Sequence, residues 1–179
     1  EIETKAGIIP VLIDKDVIIN MGKINITPKK IPVITDKNIF INEDIYVAGE
    51  RFKTTCLSVG NPHAVSFVDN VDSINLKEIG PYFEMHYLFP ERVNVNFVQI
   101  INEDAIKIKT WERGVGEVLS CGSGACASVG AAILNHKLDQ NKTIEVASKG
   151  GMQKVKCLKN EEMILKGKAN FIYKGKTYI

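Results

Sequence analysis

LSCGSGACASVGAAIL, Leu119 to Leu134, decides how the rest of the chain must be arranged. From near Ser123 to about His136 it reads as a helix, small or apolar on almost every face until Asn135. A helix apolar all round has to be buried all round. The surrounding chain is mostly strand, so strands wrapped around this one central helix are expected, an α+β class.

The strand reading rests on short runs of β-branched and aromatic residues broken by turn formers. GIIPVLID and VIINMG flank Asp14-Lys15-Asp16 as a hairpin. NIFINEDIYVAGERFKTTCLSVG, HAVSFVD, AIKIKTWE, TIEVAS, MQKVKCL, EMILKGKA and NFIYKGKTYI continue the set, with turn signals at spacings typical of antiparallel sheets. In RVNVNFVQII, Val93, Val95 and Phe97 share one face and Arg92, Asn94 and Asn96 the other. A shorter helix is expected over about Leu76 to His86, with Pro81 opening its second part.

At 179 residues the chain can bury a sizeable core. A net charge of +2, with acids and bases mixed along the chain, gives no argument for nucleic acid or an anionic membrane. No apolar run approaches the roughly 18 to 20 residues of a membrane span. Cys56, Cys121, Cys126 and Cys157 are irregularly spaced, with no C-x-x-C pair, so neither a disulfide framework nor a zinc site is indicated. Free thiols in a reducing cytoplasm are the expectation. The opening EIETKAGII is not a signal peptide and lacks a starting Met, which suggests a fragment or processed product.

Cys121 lies just before the helix, where unpaired backbone N–H groups and the helix dipole favour thiolate and lower a thiol pKa from about 8.5 toward neutrality. Ser123 is placed to cap that helix, and the N–H groups of Gly122 to Gly124 to receive a carboxylate or phosphate. The residues alone leave Cys121 open as nucleophile, base or small buried residue; Cys126, Cys56 and Cys157 read as core. Upstream, Glu112-Arg113 stands beside Gly114 and Gly116 in a tight turn, a carboxylate and a guanidinium suited to an amino-acid head group. GNPHAV puts Asn61 and His63 in a Pro-fixed turn, where a histidine ordinarily faces solvent. GSGACA, Gly122 to Ala127, matches a dinucleotide-binding pattern, but the preceding strands show no crossover helices and Glu145 falls within TIEVAS, so a Rossmann unit is not expected.

Taken together, GNPHAV, FPERVNVNFV, WERGVGEVLSCGSGACA and the SKGGM turn resemble the diaminopimelate epimerase family, in order from Gly60 to about Met152. The resemblance implies a β-rich barrel of mainly antiparallel strands wrapped around a central helix, one of two similar halves with the site between them. It implies a cofactor-independent epimerase that interconverts LL- and meso-diaminopimelate by two-cysteine proton transfer, in lysine and peptidoglycan-precursor synthesis. Cys121 would be one of the two catalytic cysteines. His63 and Glu112 would tune its ionisation, and Asn61, Asn94, Glu112, Arg113, Gly122 and Ser123 would bind substrate. Asn96, a neighbouring polar position, carries no role over.

No metal and no cofactor are implied, and the partners would be the amino-acid substrate and either a second copy, as a homodimer, or the missing N-terminal half. The family's other cysteine lies in a first-half Cys-Gly-Asn-Gly type motif, absent here, and Cys56 in TTCLSV is no replacement. The expected division is residues 1–21 as remnant strands of the N-terminal domain, 22–166 as the C-terminal domain, and 167–179 as a strand returning to the first. The isolated chain is then expected to be inactive. A related racemase of the same fold, a non-catalytic amino-acid-binding domain, and a Cys121–His63 hydrolase are the alternatives.

Overall fold

The computed structural model describes residues 1–4 and 7–177. Strands β1 (Ile2–Thr4) and β2 (Gly7–Ile9) pair with each other, and Pro10 separates them from β3 (Val11–Ile13). The expected hairpin forms at residues 14–16, where β3 turns into β4 (Val17–Lys23). There follow β5 (Glu43–Val47), β6 (Glu50–Ser58), β7 (Pro62–Phe67), helix α1 (Leu76–Glu84), β8 (Asn94–Asn102), β9 (Ala105–Glu112) and the short β10 (Gly116–Val118). Helix α2 (Gly122–Leu134), β11 (Thr143–Ser148), β12 (Gly151–Cys157) and β13 (Glu162–Gly167) complete the order.

Strands β3 to β13 form one eleven-stranded sheet, in the order β3-β4-β13-β12-β11-β9-β8-β7-β6-β5 with β10 on β9. Pairing is antiparallel except at β7–β8 and β9–β11. Parallel neighbours need a crossover, because a tight turn cannot return the chain to the same end. Helices α1 and α2 supply those two crossovers. This corrects the expectation of strands without crossover helices. The sheet is still not doubly wound: eight of its ten joints are antiparallel, and Glu145 sits within β11 opposite Lys154.

The sheet curls around α2, which packs against β6, β7, β8, β9, β12 and β13 and is buried from Gly124 to Ala132. It does not close into the expected barrel. Its path is open, and between β4 and β6 lies an isolated bridge, Asn25 with Ser58, rather than a paired strand. NFIYKGKTYI is expected as a strand returning to the first domain, and its Tyr178 and Ile179 lie outside the described residues. Residues 168–177 form no strand, and Phe171 and Ile172 are exposed. A strand exists only through hydrogen bonds to a neighbour, and no strand of the sheet pairs with this segment. Helix α1 runs unbroken through Pro81.

Strands β6 to β8 are buried on both faces over most of their length, and β9 on its inner face. Their inner residues, among them Leu57, Val65, Val98 and Ile106, pack on Val129 and Ala131 of α2. Their outer residues Phe52, Val95 and Phe97 pack under Phe83 of α1. The three phenylalanines meet edge to face or tilted, with centroids 5.4 to 6.0 Å apart, the arrangement their ring quadrupoles favour. The period-2 alternation thus sends even-numbered residues of β8 inward and odd-numbered ones outward. Asn94 and Asn96 therefore lie on the buried inner face, toward the start of α2.

Candidate active site

Cys121 is the residue that caps α2. Its backbone is extended, with φ −143° and ψ 114°, and the Gly124 N–H donates to Sγ at 3.3 Å. Ser123, the expected cap, lies inside the first turn instead, with Oγ 3.5 Å from the sulfur. Sulfur is large enough to reach the third N–H from the cap position, leaving those of Gly122 and Ser123 at the half-buried mouth of the helix. The backbone fits because residue 124 is glycine: a Cβ there would lie 2.6 Å from Asn96 Oδ1 and 3.2 Å from Sγ.

The environment does not lower the Cys121 thiol below its ordinary range, as the helix start alone suggests. Burial raises it, the bonds from Ser123 and Gly124 pull it down, and the neighbouring Glu112 carboxylate raises it further. Cys56 and Cys126 are pushed up by burial without such donors, Cys126 to about 12. Of the four free thiols, Cys121 thus has a cap N–H and a hydroxyl directed at its sulfur.

His63 is fully buried on the inner face of β7, so the solvent-facing turn expected of it is wrong. Proline at position 62 begins the strand rather than the turn, which carries the ring inward. His63 Nε2 lies 3.0 Å from Asn61 Oδ1, and Nδ1 lies 3.0 Å from Asn96 Nδ2. Asn61 Nδ2 in turn donates to Ser123 Oγ at 3.3 Å, and Thr110 Oγ1 donates to Asn96 Oδ1 at 2.9 Å. Burial, reinforced by the Arg113 guanidinium, holds His63 neutral, with its pKa lowered to about 3.

Glu112 ends β9 and Arg113 begins the turn into β10, closed by a bond from the Val115 N–H to the Glu112 carbonyl at 3.0 Å. Asn94, 4% exposed, spans two segments: Nδ2 donates to the Pro62 carbonyl at 2.9 Å, and Oδ1 accepts from the Arg113 N–H at 3.0 Å. One hydrogen of Nδ2 and one lone pair of Oδ1 remain for a ligand. Arg113 is exposed, its guanidinium resting on the Glu91 carbonyl at 2.8 Å.

Glu84, at the end of α1, pins this turn from behind. Its carboxylate accepts from Trp111 Nε1 at 2.7 Å and from the Gly114 N–H at 2.9 Å. On the other side of Cys121, the SKGGM turn docks on the segment between β10 and α2 through a bond from the Gly150 N–H to the Leu119 carbonyl. A cavity of about 850 Å³ opens there, lined by Ser120, Gly151, Met152, Gln153, Lys166 and Lys168 among others.

The structure thus brings Asn61, His63, Glu112, Cys121, Gly122 and Ser123 around one helix start, with Asn94 and Arg113 at its rim. Thr110 and Glu84 escaped the sequence reading, and Asn96 was seen there but given no role. An invitation to look existed for Asn96, which lies two residues from Asn94 on the same strand face. Thr110 and Glu84 are joined to it only by register and packing, which no local pattern reveals. Among the described residues no group of three His, Cys, Asp or Glu side chains is placed to hold a metal ion, and no helix is long and apolar enough to cross a membrane.

A family model described as diaminopimelate epimerase matches residues 55–172. Diaminopimelate epimerase of Acetivibrio thermocellus is 47% identical over 128 residues, covering 72% of this chain and 46% of the relative. That of Bacillus cytotoxicus is 41% identical over 181 residues, covering 97% of this chain and 63% of the relative. The chain therefore spans about half to just under two thirds of the length of these curated relatives. Among solved structures, a probable proline racemase from Agrobacterium radiobacter aligns with TM-score 0.64 at 16% identity, over 93% of this chain and 56% of that one. A hydroxyproline epimerase from Agrobacterium vitis aligns with TM-score 0.65 at 14% identity, over 93% and 55%. At these identities the two structures speak for a shared fold.

Proposed function

This chain belongs to the diaminopimelate epimerase family, and from that premise we propose that it supplies one acid/base face of a cofactor-independent amino-acid epimerase acting at Cα of diaminopimelate. The observation that carries the reading is Cys121 itself, a thiol capping a buried helix whose next two N–H groups are open to a ligand. Removing a Cα proton without pyridoxal phosphate leaves a carbanion with no ring to accept its charge. Oriented dipoles must take that role, and backbone N–H groups at a helix start need no reorganisation when charge develops.

In the direction that begins here, the Cys121 thiolate removes the Cα proton and the electron pair delocalises into the α-carboxylate. The growing negative charge lies against the N–H groups of Gly122 and Ser123. A second acid on the opposite face, carried by a segment outside this chain, returns a proton there and inverts the centre. In the reverse direction Cys121 is the acid. Glu112 accepts from the substrate ammonium, Arg113 meets the carboxylate, and Asn61 and Asn94 orient the head group. Burial and, behind it, Glu112 raise the thiol, so the bonds from Ser123 and Gly124 are what draw it back toward the neutral range that a group taking and giving a proton needs.

Such an enzyme serves lysine and peptidoglycan-precursor synthesis in the cytoplasm, and the four free cysteines fit a reducing compartment. The exposed apolar side chains of Leu12, Ile13, Phe171 and Ile172 support contact of residues 1–21 and 167–179 with the other half. The test is deuterium incorporation at Cα of LL- and meso-diaminopimelate. The expected result is no net inversion by the 179-residue chain and inversion once a first-half segment bearing a second thiol is supplied. Inversion by the chain alone would sink the two-face mechanism. The Glu112–Arg113 pair reads only a head group, so a panel of amino acids on the two-half protein separates this substrate from those of a related racemase. Unchanged ligand binding with no exchange at any Cα would favour a binding domain.

A further inference from the structure

Behind Cys121 lies a chain of side chains that crosses three strands and whose outer end touches no ligand surface. Thr110 on β9 faces Asn96 on β8 in register, Asn96 reaches His63 on β7, and Asn61 joins His63 to Ser123 on α2. Thr110, Asn96 and His63 are 3%, 0% and 0% exposed, so no water competes for these bonds. Each link constrains the next. With Thr110 donating to Oδ1, the Asn96 amide presents Nδ2 to the ring, and Nδ1 must be the unprotonated nitrogen. Nε2 then carries the hydrogen and donates to Asn61 Oδ1. That turns Asn61 Nδ2 onto Ser123 Oγ, whose own hydrogen is left to point at Sγ.

We propose that Thr110 and Asn96 are positioning residues that hold this hydrogen-bond chain in one direction, so that every donor runs from β9 toward the Cys121 sulfur. The inference deepens the proposed function, since it concerns the same thiol. The polarity is not forced by fold alone: rotating the Asn96 amide would reverse every bond downstream and leave the sulfur facing the lone pairs of Ser123. The Thr110 hydroxyl donates to Asn96 Oδ1 and holds the amide in place. A hydroxyl also accepts, so the discriminating end is the Cys121 thiolate, which only accepts and requires Ser123 to donate. The charged groups facing the chain are Glu112, beside the sulfur, and Arg113, which acts on His63. Neither is bonded to Asn96 or Thr110, so Thr110→Val and Thr110→Ser leave the local charges in place, whereas Asn96→Asp adds a carboxylate and is read by its tautomer. A chain of aligned donors polarises along its length, and its effect on the thiolate exceeds that of Ser123 alone.

The experiment uses the 179-residue chain and needs no turnover, so its failure is separable from failure of the epimerase reading. Long-range ¹H–¹⁵N correlation reports the His63 tautomer, and iodoacetamide labelling of the Cys121 peptide, followed by mass spectrometry against pH, reports thiolate formation. The wild type is expected to show the neutral Nε2–H tautomer throughout pH 5–9. Asn96→Asp offers a carboxylate to Nδ1–H, so His63 is expected to gain a proton on Nδ1 and the Cys121 labelling midpoint to rise by about half a pH unit or more. Thr110→Val is expected to raise the midpoint in the same direction, and Thr110→Ser to restore it. Ser123→Ala should raise it with the tautomer unchanged. An Nδ1–H tautomer in the wild type overturns the proposal, whether or not any variant folds. So does a folded Thr110→Val variant with wild-type tautomer and midpoint, since a merely structural threonine would produce that result.

Discussion

Helices α1 and α2 do the same topological work, each carrying the chain between two parallel neighbours, yet they sit in opposite environments. Helix α2 lies inside the curl of the sheet and is buried from Gly124 to Ala132, whereas α1 covers the outer face and leaves Tyr82 and Met85 exposed. Both contribute to the site from an end. The start of α2 presents Cys121 and open N–H groups, and the end of α1 presents Glu84 to the back of the Glu112–Arg113 turn. The difference teaches that a buried helix is used where an atom must meet the substrate. A half-exposed helix is used where a turn must be held. Reactive groups sit where surrounding packing determines their position most completely.

The contrast breaks most visibly at Cys121. Cys121→Ser on the protein with both halves is expected to slow Cα deuterium exchange by about 10²–10⁴-fold, the usual contribution of a positioned acid/base. An unchanged rate would move the chemistry away from α2. The outer helix is tested by Gly80→Ala, whose Cβ would lie 2.4 Å from the Trp111 ring. Alanine favours a helix over glycine by about 1 kcal/mol, but overpacking of about 1–3 kcal/mol opposes it. Because the nearest atoms belong to a rigid indole, overpacking should win, with a lower urea midpoint at unchanged slope.

A third expectation concerns His63 beneath α2. Its folded pKa, about 3, lies below the ordinary 6.5. Between those values the unfolded chain binds the extra proton, so stability is full above pH 6.5 and falls as pH drops toward 3. The loss should be about 1.4 kcal/mol per pH unit at most, read from urea midpoints at pH 7 and pH 5 and compared with a His63→Gln variant. Equal slopes with pH would mean that the histidine is charged in the native state. The smallest effect is expected at Glu84→Gln. It keeps one acceptor but loses the charge shared by Trp111 and Gly114, costing about 1 kcal/mol and raising KM more than it lowers kcat. A pure kcat effect would place Glu84 closer to the chemistry than α1 allows.

How much was legible follows from distance along the chain. The hairpin at residues 14–16, the two helices and the turn after Glu112 rest on local rules of turn chemistry and periodicity, and these elements formed where expected, each helix ending two residues early. The cap was misread because Ser123 is the commoner capping residue, while the extended backbone at Cys121 gives the sulfur that place. His63 was misread because a proline beside a glycine and an asparagine signals a turn, and only the pairing of β7 between β6 and β8 buries it. Asn96 and Thr110 are 14 residues apart and meet only through the β8–β9 register. NFIYKGKTYI has strand composition, and over residues 168–177 no strand of this sheet pairs with it.

By itself the sequence determined the elements, the burial of α2 and the presence of a thiol at its start, because these depend on side chains within a turn or two of one another. Tertiary structure alone decided the direction of the hydrogen bonds reaching that thiol, the neutrality of His63 and the anchoring of Glu112–Arg113 by Glu84. Those depend on desolvation and on contacts across strands, energies that do not exist until the sheet has curled around the helix.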